Sequence, residues 1–215
     1  MQSPEESKSI TARQGEVLEA ALALLVRQGS RLTMAGVAEK AACSKETLYK
    51  WFGDRKGLLR ATVKWQAAKV GMPHIEPGNL DAASLKNSIE GFGRDLLTVL
   101  TGEISVALNR VAIAHAGPEG ANLGAIVLEN GRLAMGRRLK PVLEAGQKAG
   151  LLTFADSEEA FRSFFGLLIR DTQIRLLLGD HCAPDTREIA IDAARATGQF
   201  YVLYGTEKNG GKPQT

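Results

Sequence analysis

A chain of 215 residues, 44% hydrophobic and 24% charged, can bury one sizeable core or two modest ones, which excludes a fibrous or intrinsically unfolded reading. No apolar run approaches the roughly 18 residues that span a bilayer, and the opening MQSPEESKSI has no apolar centre, so neither an anchor, a signal peptide nor a membrane partner is expected. The net charge of +3 is uneven: residues 1–69 hold 12 Lys and Arg against 7 Asp and Glu, whereas residues 70–215 hold 15 against 17. Cys43 and Cys182 stand far apart, which argues against a disulfide framework and fits a cytoplasmic protein.

Residues 1–12 lack periodicity and read as a flexible arm; Lys8 and Arg13 are solvated there or touch a polyanion. From Gln14 to Gln28 the residues Val17, Leu18, Ala21, Leu24 and Leu25 recur at helical spacing, with Gly29 as a stop. Thr33 is placed to cap a short helix with Val37, Ala38 and Ala41 inward. Ala42 and Cys43 break the chain, and Ser44 caps a second helix in which Leu48 and Phe52 share the inward face beside Trp51. Its opposite side carries Glu46 and Lys50, flanked by Thr47 and Tyr49, groups able to donate, accept and stack. Gly53 then breaks the chain, and Asp54 caps a helix running to about Val70 with Leu58, Leu59, Val63 and Trp65 as apolar positions. Arg55 and Lys56 fall in its first turn, where the helix dipole disfavours cations unless an external anion covers the same N–H groups.

Two short helices across a tight turn, the second with a polar outer face, form a helix-turn-helix. The series Thr33, Val37, Ala38, Ala41, Ser44, Tyr49, Phe52, Lys56, Leu59 resembles the DNA-binding signature of TetR-type transcriptional regulators. That resemblance implies DNA contacts from Thr33, Ser44, Lys45, Glu46, Thr47, Tyr49, Lys50, Arg55 and Lys56. In the turn the family usually has Gly and Val where this chain has Ala42 and Cys43. If position 42 is left-handed, Ala carries a steric cost there that Gly avoids.

Residues 71–79, GMPHIEPGN, read as a linker between a DNA-binding domain (13–70) and a second domain (80–205). Beyond it the patterns are helical only: Asp81 to Leu100, Glu103 to Ala116, Asn122 to Gly150 with a bend, Asp156 to Leu178, and Asp185 to Tyr204, then a disordered tail over 206–215. RVAIAHA at 110–116, the Gly150–Leu152 stop, and FFGLL with RLLLGD within 164–180 are similar to AefR-like C-terminal domains of the same family. The likeness implies a helical domain that dimerises through its last two helices and encloses an effector. Phe92, Leu96, Val111, His115, Phe165 and Ile169 are candidates to line that cavity, or equally a closed core. Phe161, Phe164, Leu168, Ala193, Thr197, Phe200, Tyr201 and Tyr204 are candidates for the interface.

No catalytic constellation or cofactor site stands out. His181 with Cys182 is too little for zinc, and the Gly91–Gly93 pair lies inside a helical pattern without a preceding strand. The fold expected is all-α: an N-terminal three-helix DNA-binding domain followed by a helical effector-binding and dimerisation domain. The function expected is a homodimeric transcriptional regulator, a repressor of a palindromic operator on double-stranded DNA, released by a small apolar or amphipathic effector. The alternative is a helical ligand-binding or enzyme domain that keeps the fold without DNA affinity.

Overall fold

The computed structural model of the protein describes residues 10–28, 31–73, 80–114, 116 and 123–206. Most of the expected arm, Gly29, the linker from residue 74, His115 and the tail from residue 207 lie outside them. The first four helices are α1 (Ala12–Gln28), α2 (Met34–Lys40), α3 (Lys45–Phe52) and α4 (Arg55–Ala67). The starts of α2, α3 and α4 coincide with side-chain acceptors. Thr33 Oγ1 accepts from the Gly36 N–H at 3.1 Å, Ser44 Oγ from that of Thr47 at 3.1 Å, and Asp54 Oδ1 from that of Gly57 at 2.7 Å. Such a cap contributes about 1 kcal/mol. Ala42 does adopt a positive φ of 48°, the conformation anticipated for the turn. The carbonyls on either side are not left open, because Arg13 Nη2 donates to Ala41 O at 2.6 Å and to Ala42 O at 3.0 Å. Arg13 is therefore a strut between α1 and the turn, a role its place beside a polar arm did not suggest.

The remaining helices are α5 (Ala82–Thr101), α6 (Glu103–Ala114), α7 (Leu123–Val127), α8 (Leu133–Lys148), α9 (Ser157–Ile169), α10 (Thr172–Leu177) and α11 (Thr186–Tyr204). Asp81, Asp156 and Asp185 cap α5, α9 and α11, the last through a reciprocal capping box with Glu188. The bend expected between Asn122 and Gly150 is a π-helical turn, Leu128–Arg132, between α7 and α8. Buried Asn130 donates from Nδ2 to Ile126 O at 2.9 Å within it.

The single helix expected from Asp156 to Leu178 is instead two. Arg170 takes φ 50°, ending α9, and α10 turns away to pack on α6. Arg110 of α6 fastens it there through the carbonyls of Leu176 and Leu177. A tertiary anchor 66 residues away in sequence carries no local signal.

The apolar residues form two cores. One is built by α5, α8, α9 and α11 around Leu85, Ile89, Leu139, Phe161, Phe164 and Phe200. Gly146 lets α8 approach α5, since a Cβ there would stand 2.5 Å from Leu85. The other is built by α1 to α4 around Val17, Leu18, Leu25, Val37, Leu48 and Leu58, and it is completed by Leu108 and Ala112 of α6 and Leu123 and Ile126 of α7. The domain boundary expected at residues 71–79 is thus a boundary in sequence only. Ala67, at the end of α4, and Val70 just beyond it already belong to the first core, and Arg138 of α8 holds their carbonyls at 2.7 and 2.9 Å.

Six of the eight expected interface residues need correction. Phe161, Phe164, Ala193, Thr197 and Phe200 are 0% exposed and Leu168 is 1% exposed, all inside the protomer's own core. Tyr204 is half-buried against Phe200, ring centroids 4.9 Å apart, and Tyr201 is half-buried beside it. Helical periodicity marks an apolar face, but it does not distinguish a neighbouring helix of the same chain from a helix of another copy.

Candidate nucleic-acid interface and adjoining cavity

The caps described above fix α3 at both ends, since Gly53, with φ 76°, closes it through its N–H to Tyr49 O. Leu48 is fully buried, while Trp51 and Phe52 are partly buried on the same core. What remains outward is Lys45, Glu46, Tyr49 and Lys50, all exposed, with Thr47 half-exposed. Tyr49 is an aromatic ring 52% exposed on a short helix, which leaves it free to lie against a partner. Ser44 and Thr47 share a hydroxyl contact at 3.1 Å, so both are turned toward the N-terminus of α3. Hydrogen bonds from its own N–H and from Ser44 hold the Glu46 carboxyl below its usual pKa.

Lys56 is exposed at the start of α4, beside a shallow hollow that also involves Gly53, Asp54 and Arg60. Arg55 is placed differently from Lys56. Its Nε donates to Leu32 O at 2.8 Å, tying α4 to the approach to α2. Thr33 has its side-chain oxygen engaged by the Gly36 N–H. Of the nine residues expected at DNA, Lys45, Glu46, Thr47, Tyr49, Lys50 and Lys56 share the outward surface, whereas the hydrogen bonds of Thr33, Ser44 and Arg55 are structural.

Behind this surface lies a cavity of about 610 Å³. Its apolar wall includes Val63 and Val70 from α4 and its end, Leu96 and Leu100 from α5, and Met135 and Phe165 from α8 and α9. Its lining also includes Ile113 and Leu128, which are 62% and 52% exposed. Of the residues expected to line it, Leu96 and Phe165 do. Phe92 and Ile169 are buried in the core beside it, Val111 packs on the α1–α4 core, and His115 lies outside the described residues.

Sequence reasoning missed the polar part of this wall: Gln66, Ser105, Asn109, Arg132 and Gln173. Gln66, 7% exposed, donates from Nε2 to Ser105 Oγ at 3.0 Å, and its Oε1 has no partner among the described residues. Asn109 Nδ2 is spent on Ser105 O at 2.8 Å. The half-buried Arg132 guanidinium stacks over Phe161 and Phe165, 4.5 and 4.2 Å from the ring centroids. Burial lowers its pKa, with Glu158 opposing and Arg162 adding to the shift. The one available signal was Gln66 itself, a single amide at helical spacing from Val63 and Val70 on an otherwise apolar face of α4 and its end. Among the described residues no three His, Cys, Asp or Glu come together as metal ligands, and no single helix is long and apolar enough to cross a membrane.

Residues 17–62 match the tetR family of bacterial regulatory proteins, and residues 87–206 match the AefR-like transcriptional repressor C-terminal domain. The chain belongs to the TetR family. It is 47% identical to a TetR transcriptional regulator from Agrobacterium tumefaciens, over 92% of this chain and 97% of that one, with a TM-score of 0.78. A TetR-family regulator from Mesorhizobium loti is 24% identical over 90% of this chain and 97% of its own, TM-score 0.73. The flavonoid-responsive regulator FrrA is also 24% identical over the same shares, TM-score 0.66, and at that distance the likeness is one of fold. No curated protein matches the chain. As a TetR-family member with this helix-turn-helix, the protein is a DNA-binding transcriptional regulator.

Proposed function

We propose that the protein is a cytoplasmic homodimeric repressor whose two α3 helices enter successive major grooves of a palindromic operator and leave it when a small molecule fills the cavity. The observation that carries this reading is the position of α4. Its first turn adjoins α3, and its last turns, with Val63, Gln66 and Ala67, form cavity wall. An occupant therefore touches the helix on which the DNA-binding surface rides. Arg138, gripping Ala67 O and Val70 O, sets the resting position of that helix against α8. Recognition helices must stand roughly 34 Å apart, so a small rotation of α4 in each protomer disrupts the match to DNA. Ligand and operator then oppose each other with one reciprocal coupling.

Within the DNA surface, Thr47 and Lys50 face base edges, and Tyr49 and Lys56 hold phosphates. The dimer uses the outward side of α9 and α11. There Ile191 and Val202 are 56% and 85% exposed, and Gly166 and Gly198 have open space where a Cβ would be. Those residues replace the buried ones first expected at the interface. Operator titrations at several salt concentrations test the reading. Lys56→Ala weakens all sequences alike and lowers the salt slope by about one, whereas Lys50→Ala alters base preference. Val202→Glu yields monomers with weak operator binding. A chain that retains no sequence-preferring DNA affinity would overturn the proposal in favour of a ligand-binding module.

A further inference from the structure

The cavity contains an apolar body and two incomplete polar groups. Gln66 is more than nine-tenths buried and satisfies only one end of its amide. Turning the amide over exchanges the atoms without curing the deficit: Ser105 Oγ, able to donate or accept, still partners one end and leaves the other empty. An unpartnered buried amide group costs roughly 1–3 kcal/mol, so it needs a compensating reason to be there. The second group, Arg132, forms no hydrogen bond or close ion pair among the described residues; it is stacked on two rings, with the Glu158 carboxylate acting on it only at longer range. Stacking orients the plane of a guanidinium but uses none of its N–H donors. Those donors come from the π-helical turn, an insertion of a kind that often marks a functional position in a helix.

The geometry points to a hydroxylated amphipathic monoanion as the cavity's ligand: an apolar body with an anionic oxygen on Arg132 and a hydroxyl on the open end of Gln66. This inference rests on the cavity being the effector site. A hydroxyl suits Gln66 in either amide orientation, because it both donates and accepts. The anionic oxygen is a carboxylate or an ionised phenol, which offer Arg132 the same charge-assisted bond. The volume of about 610 Å³ lies in the range that encloses small organic ligands. A purely apolar molecule would leave the open end of Gln66 unpaired and would cover the half-buried Arg132 without offering it an acceptor. The charge on Arg132 thus overrides the preference for uncharged ligands that an aliphatic wall alone would suggest.

The experiment measures dissociation constants by calorimetry on the full chain with three matched probes: ω-hydroxydecanoate, its methyl ester, and decanoate. Two phenols of similar size, one ionised and one neutral at the working pH, separate the two anion sources. The hydroxy acid binds at least about tenfold more tightly than its ester and about fivefold more tightly than decanoate. Arg132→Gln abolishes the acid-to-ester ratio and Arg132→Lys restores part of it. Gln66→Leu abolishes the hydroxyl ratio alone. Equal affinity for acid and ester in the unaltered protein overturns the inference without any variant having to fold, as does a failure of all probes to bind. Variants that weaken every probe equally overturn it too, since a merely structural role does that. Operator titration with each probe separates this from the reading it rests on. Discrimination without DNA release leaves the ligand class standing and sinks effector control; release by the ester as readily as by the acid does the reverse.

Discussion

At the start of α2, α3 and α4 one first-turn N–H of each helix meets the side chain of Thr33, Ser44 or Asp54, whereas in the cavity one end of Gln66 and the guanidinium of Arg132 meet no acceptor or donor among the described residues. The first region is complete before its partner arrives. Its outward side chains stand on helices already fixed by caps, by buried Leu48 and by the Arg13 strut, so binding DNA requires little further ordering. The second region is incomplete until something enters it. Free energy stored as unmet hydrogen bonding is released only to a ligand of matching pattern, which makes the cavity selective in a way an apolar hole is not.

Substitutions sharpen or break this contrast. The largest effect is expected for Leu48→Ala, a 0% exposed side chain beneath the outward surface of α3. It should lose about 3 kcal/mol in denaturant unfolding, and a loss below about 1 would mean that α3 is not held from beneath. Asp54→Ala removes one satisfied cap and should cost about 1 kcal/mol, or about 3 °C in Tm. Ala42→Gly acts in the opposite direction. It relieves a side chain at φ 48° and, after the added unfolded-state entropy, should gain about 0.5 kcal/mol. A loss would mean the turn is not strained. Gln66→Met should change stability least and toward a gain, because a half-paired buried amide is replaced by an apolar chain of similar volume. If this change instead cost as much as Asp54→Ala, the two regions would not differ in kind.

A pH measurement extends the same test to Tyr201, whose buried hydroxyl has no partner among the described residues and whose pKa burial pushes up from 10.0 to about 12. The folded state then retains a proton that the unfolded chain gives up. The associated stability is fully present below pH 10 and is lost as pH rises through about 12. Tyr201→Phe should remove that alkaline component, seen as a smaller difference in melting temperature between neutral and alkaline buffer.

The helix-turn-helix was legible because its signals are local: Thr33, Ser44 and Asp54 each lie three residues before the N–H they cap, and Leu48 and Phe52 repeat at helical spacing. Even the left-handed residue at Ala42 followed from where the helix had to stop. What escaped was decided by distant partners. Arg170 ends α9 because α10 is claimed by Arg110, and Arg13 and Arg55 look like surface cations until Ala41, Ala42 and Leu32 present their carbonyls. The cavity was anticipated through Leu96 and Phe165 but not through its polar groups, because a single Gln in an apolar stripe reads as a tolerated exception. Phe161, Phe164 and Phe200 were sent to the wrong surface for a related reason: their richness in apolar area is consumed by α5 and α8 of the same protomer.

The sharing of one core by α1 to α4 with α6 and α7 bears on how such proteins can exchange parts. A recombination event that cut the chain between residues 71 and 79 would deliver α1–α4 without the Leu108, Ala112, Leu123 and Ile126 side chains that complete their interior. The transplanted piece would find the sockets of its new host shaped for other residues, and its own apolar floor would face water. The interior beneath the helix-turn-helix is accordingly built from two separate stretches, α1–α4 and α6–α7, and a transplanted α1–α4 keeps its packing only when α6 and α7 move with it or when the host preserves the same small set of contacts.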